Sequence, residues 1–131
     1  MRLVLRGRGS VCVGVVLSWA GMVAADAVEH ANKWVGIWAA EPAWCAFADQ
    51  VGSHKPAPIS LNLESVDGYE NSCAVTGVAQ VGEMRAWRLG LLCQAEGSEY
   101  AEETLVLLES DDVLWRYWWD GEPVRFTRCG T

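Results

Sequence analysis

Carboxylates and tryptophans are the residue types in this chain that could do chemistry, and their spacing limits which chemistry is open. If Gly82-Glu83-Met84 forms a three-residue turn, Val81 faces Arg85, and counting outward brings Glu70 opposite Glu96. Two facing carboxylates can serve as general acid and base in glycan hydrolysis, hold a divalent cation, or receive a basic side chain. Like charges in direct opposition repel on a strand pair, so an arginine such as Arg116 or Arg128 is expected between them. The plainer reading leaves both glutamates solvated at the flared end of a hairpin. It outweighs catalysis, because no further polar constellation accompanies the pair.

Seven of the eight tryptophans follow residue 25: Trp34, Trp38, Trp44, Trp87, Trp115, Trp118 and Trp119. Strand alternation separates Val113, Trp115, Tyr117 and Trp119 from Leu114, Arg116, Trp118 and Asp120, so Trp118 points away from its aromatic neighbours. A tryptophan outside the core suits a sugar ring, an apolar ligand or a protein hot spot. The simpler reading is that a core short of Phe and Ile uses Trp for bulk. Glu70, Glu96, Trp118 and Arg116 are therefore the candidate binding residues. No serine has a Gly-x-Ser-x-Gly setting, and His30 and His54 lie in irregular segments. There is no phosphate-cradling glycine loop, no Cys-x-x-Cys and no metal-ligand spacing. The chain is expected to be no enzyme and to carry neither cofactor nor metal.

Residues 1–25 hold Arg2, Arg6 and Arg8 and no acid, then an apolar run of about 14 residues and the small residues Val23-Ala24-Ala25. A bilayer span needs about 20 residues. The pattern is that of a cleaved signal peptide, cut after Ala25 or Ala27, of a protein exported to a bacterial periplasm or secreted. Cys12 lies near the start of the apolar run, where a lipid anchor would not place it. No stable membrane insertion is expected after processing. Beyond residue 25, 17 acids face seven basic residues, a net charge of −10. Such a chain repels nucleic acid and attracts cationic partners, although solubility alone also explains the charge.

About 105 residues remain, enough for one domain with a modest core. Exported domains of this size are often stapled, and the remaining cysteines are Cys45, Cys73, Cys93 and Cys129. An even count predicts two disulfides with three possible pairings. The register that faces Glu70 with Glu96 also faces Cys73 with Cys93. It favours that bridge and leaves Cys45 for Cys129.

The elements that must position these residues are strands. Residues 26–33 read as a flexible lead-in, and 34–131 as a single domain. Residues 34–39 begin it, and 41–58, with three of the four prolines, read as a long irregular loop. Ile59, Leu61 and Leu63 alternate with polar residues, and Asp67-Gly68 signals a hairpin turn. Further strands are expected over 69–81, with a bulge at Gly77, and over 85–93, 100–108, 113–119 and 124–129. Trp87, Leu89, Leu91 and Cys93 share one face. This spacing predicts an all-β fold, a small antiparallel meander closing into a barrel of about seven or eight strands.

Gly36-Ile37-Trp38 on the first strand resembles the Gly-x-Trp opening of lipocalin-like barrels, including small bacterial inhibitors of secreted metalloproteases. That resemblance implies a barrel with Gly36 and Trp38 as fold markers, and residues 26–33 entering a protease cleft. Two disulfides are expected in this chain where those inhibitors have one. Trp44-Cys45, Gly68-Tyr69-Glu70 with Cys73, Cys93 with Glu96-Gly97, and Arg128-Cys129 resemble a set of small exported bacterial proteins without assigned function. Periplasmic lysozyme inhibitors are similar in size, disulfide use and acidity, although their signature motifs are not evident. The leading expectation is a binding or inhibitor-type module for a cationic secreted or envelope protein, a lysozyme or a protease. A lipocalin-like carrier of a small apolar or sugar ligand is the alternative. A glycan hydrolase built on Glu70 and Glu96 is the weaker one.

Overall fold

The structure, a computed structural model, describes residues 33–118 and 120–130. The signal segment, Cys12, His30, Trp119 and the lead-in up to residue 32 lie outside the described residues. Eight strands form one closed antiparallel barrel in which each strand pairs with its sequence neighbours and the last returns to the first. They are β1 Gly36–Ala39, β2 Ile59–Leu61, β3 Ser65–Gly68, β4 Asn71–Gln80, β5 Ala86–Ala95, β6 Ser98–Ser110, β7 Val113–Trp118 and β8 Val124–Arg128. Closure between β1 and β8, with Trp38 beside Arg128 and Ala39 beside Thr127, removes the bare edges that an open sheet would expose.

Period-two patterning decides what fills the barrel. Trp87, Leu89, Leu91 and Cys93 on β5 are all buried, as are Val106 and Leu108 on β6, Leu114 on β7 and Phe126 on β8. Trp34 and Trp38 are fully buried in the same cluster, so bulk that Phe and Ile do not supply comes largely from indole rings. The filled interior is a packed core.

Three expectations need correcting. Residues 41–58 are not irregular throughout, because Pro42–Gln50 forms a 3-10 helix. Pro42 opens it, where a fixed φ and a missing N–H cost nothing, and Cys45 ties it to Cys129. Asp67-Gly68 is not a turn. It ends β3, with Gly68 paired to Asn71, so the turn is Tyr69-Glu70. Leu63 is half exposed in the β2–β3 turn, and Val66 takes the inward position instead.

The register also departs from expectation. The β4–β5 turn is not the three-residue loop of the sequence reading. Gln80 pairs with Trp87, and the Val81 amide donates to the Ala86 carbonyl, which makes the turn one residue longer. A bulge between Val75 and Gly77 then takes up the extra residue, so that Cys73 still faces Cys93. The two departures cancel. Both expected disulfides are present, Cys73–Cys93 and Cys45–Cys129.

Candidate functional site

In an up-and-down barrel, alternate connections lie at the same end. One end carries the turns at 62–64, 81–85 and 111–112 together with residues 33–35. The other carries the helical connection 40–58, the turns at 69–70 and 96–97, and the β7–β8 connection.

The first end is plugged. Arg128 lies over the Trp38 ring, 4.1 Å from its centroid. Its Nε donates to the Asp111 carbonyl at 2.8 Å, Nη1 to Val35 O at 2.9 Å and Nη2 to Lys33 O at 2.5 Å. The Trp38 indole N–H donates to Trp34 O at 2.9 Å. Gly36, at φ 153°, leaves the guanidinium its path, for a Cβ there would lie 2.5 Å from Arg128 Nη1. Gly36 and Trp38 thus mark the closed end. Three acids around this plug are ion-paired, while Glu64 and Glu83 on the neighbouring turns are not among the ion pairs of the described residues. Asp111 is bound by Arg85 and by Lys33, Asp112 by Arg128 and Glu109 by Arg125. The hydrogen bond from Arg85 and the charge of Lys33 hold the Asp111 carboxyl below its usual 3.8.

The second end is open and acidic. Glu70 and Glu96 lie just beyond the paired rows and line one concavity of about 340 Å³ with Gln94 and Glu99. The register thus brings the two glutamates to one site. No arginine comes between them, which corrects the expectation for both candidates: Arg128 is in the plug, and Arg116 is inside the barrel. Among the described residues none of Glu70, Glu96, Glu99, Asp120 and Glu122 has an ion pair. Glu70 (φ 50°) and Glu96 (φ 52°) both hold left-handed backbone, where Asn or Gly would be cheaper. Tyr69 and Tyr100 stand exposed at the same end. Lys55 is 5.7 Å from the Tyr69 ring, and Tyr100 Oη accepts from Asn71 Nδ2 at 3.1 Å.

Arg116 and Trp118 share the inward face of β7 with Leu114, while Tyr117 faces out. The open mouth thus holds Trp118 as a half-buried ring beside Arg116, whose guanidinium lies 4.3 Å from its centroid. Arg116 is 7% exposed, with Nε donating to Thr104 Oγ1 at 3.1 Å. Burial pushes this guanidinium down to about 10, against the opposing charges of Glu102 and then Tyr100. Glu102, Thr104 and Asn71 were missed from sequence. Glu102 and Thr104 share alternation with Val106 and Leu108, which was the signal available. His54 stacks on Phe47 at 4.2 Å and bonds to Pro56 O, away from the glutamates.

No group of three metal-ligating side chains converges among the described residues, and none of their helices is long and apolar enough to cross a membrane. Comparisons with known protein families, with curated proteins and with solved structures return no match.

Proposed function

We propose that this protein is an exported binding module of inhibitor type, which docks its open barrel end on a cationic partner such as a lysozyme or a protease. One observation carries the reading. Asp111, Asp112 and Glu109 at the plugged end are paired with arginines or Lys33, whereas Glu70, Glu96, Glu99, Asp120 and Glu122 at the open end have no ion pair among the described residues. Two of them stand on strained turns, and strain of this kind is kept where the side chain has a use. Tyr69 and Tyr100 add amphipathic rings of the sort enriched at interfaces. A carrier role for a large apolar ligand fits less well. The opening inside the mouth measures about 120 Å³, against roughly 300–1,000 Å³ for drug-sized ligands.

The test is retention of basic envelope and secreted proteins on the immobilised, disulfide-intact domain at low salt, with a salt gradient for elution. A retained lysozyme or protease that is also inhibited in solution supports the reading. Retention that ignores ionic strength, or that survives Glu70→Lys with Glu96→Lys, overturns it.

A further inference from the structure

Below the acidic rim, the mouth contains a second feature that a protein-docking role does not use. Val66, Asn71, Cys73, Glu102, Arg116 and Trp118 line a cavity of about 120 Å³. A guanidinium carries five N–H donors. On Arg116 only Nε is spent, on Thr104. Its closest approach to Glu102, Nη2 to Oε1, is 3.7 Å, which is an electrostatic contact and too long for a hydrogen bond. Glu102 accepts no hydrogen bond, and its side chain is only 25% exposed. Asn71 donates to Tyr100 through Nδ2, and its Oδ1 lies 3.3 Å from Cys73 Sγ, a disulfide sulfur with no proton to give, so it can still accept from a ligand. A side chain that is nine-tenths buried and charged thus turns four unspent donors toward the cavity, and a carboxylate flanks the same space without bonding to it. No buried side-chain nitrogen or oxygen among the described residues lacks a hydrogen-bond partner, so these unspent atoms are ones that solvent, and a ligand entering the mouth, can reach.

We propose that this cavity is a binding site for a small zwitterion of the α-amino-acid class. The ligand's carboxylate takes the Arg116 Nη donors, and its ammonium takes Glu102 and Asn71 Oδ1. A plain anion would meet the Glu102 charge uncompensated, and a plain cation would meet Arg116. Only a ligand carrying both signs completes the site. The volume equals about four water molecules, room for the two charged groups and a carbon or two. Trp118, Val66 and the disulfide wall supply the apolar side. This site is distinct from the protein-docking rim and stands or falls independently of it.

The experiment titrates the disulfide-intact protein with glycine and alanine, and separately with acetate and methylammonium, following indole and arginine side-chain resonances by NMR. Millimolar binding of the two zwitterions is expected, with perturbation of Trp118 and Arg116, and binding of each single-charge analogue about tenfold weaker. Arg116→Gln removes the binding. Because Arg116 is buried and its variant can fail to fold, Glu102→Gln provides a second reading, raising the affinity for acetate relative to glycine. No perturbation by either zwitterion would overturn the proposal. So would acetate binding as well as glycine to the unaltered protein, or an unchanged acetate-to-glycine ratio in Glu102→Gln.

Discussion

The two ends of this barrel use the same residue types for opposite purposes. At the plugged end an arginine, Arg128, lies over a tryptophan and gives its donors to three main-chain carbonyls, and the nearby acids Asp111 and Asp112 are held by cations. At the open end another arginine, Arg116, also lies beside a tryptophan, yet among the described residues most of its donors are unspent and Glu70, Glu96 and Glu99 on the rim have no ion pair. Arginine on tryptophan is thus not a functional signature in itself. What distinguishes the ends is whether the polar groups around the pair are satisfied within the chain. Satisfied groups hold the barrel shut, and unsatisfied ones wait for something from outside.

If that contrast is right, perturbing the plug changes stability and perturbing the mouth changes binding. The largest effect is expected from Trp38→Ala, which empties a fully buried indole site and should cost about 3–5 kcal/mol in urea unfolding. Replacing Cys45 and Cys129 together by serine should cost about 2–4 kcal/mol, because the bridge closes a separation of 84 residues. It should leave salt-dependent binding at the open end intact. Glu96→Asn should do the reverse. It relieves a left-handed glutamate and gains up to about 1 kcal/mol in thermal unfolding, while weakening capture of a cationic partner by surface titration. A variant that became more stable with binding unchanged would detach the strained turn from function. The smallest effect concerns acid. Asp111 titrates lower in the folded state than the 3.8 of a free aspartate, so its stabilising contribution is full above that value and is lost as pH falls through the folded pKa. Asp111→Asn should flatten the dependence of the melting temperature on pH in that acid range.

Much of the barrel was legible in the alternation of the sequence, and the reason is local. Trp87, Leu89, Leu91 and Cys93 repeat with period two, and one buried face is enough to specify a strand. The cysteine pairing was reached by a count that was wrong twice over, in the turn and at the bulge. Gly77 did mark the bulge, as a glycine inside a strand often does, but the count did not carry that extra residue into the register. The 3-10 helix was hidden by prolines that mark both irregular chain and helix starts. The site was half legible. Register brought Glu70 and Glu96 to one concavity, but the partners of Arg116 come from β6, and which of its faces turns inward depends on closure of the whole barrel. Glu102 shares alternation with Val106 and Leu108, but on a strand with so many acids that one local sign is easily passed over.

Arg128 has a bearing on the order of events as the chain acquires its shape. Its hydrogen-bond partners Lys33 and Val35 are 95 and 93 residues earlier, while β1 finds its two neighbours in β2 and β8. The chain through Arg128 must therefore be available before the first strand can be clamped on both sides. Until then the indoles of Trp34 and Trp38 lack their cover, and loop-closure entropy opposes any early compaction around them. Folding is in effect deferred until Arg128 is in place, and a chain ending before residue 128 should stay open to proteases and chaperones.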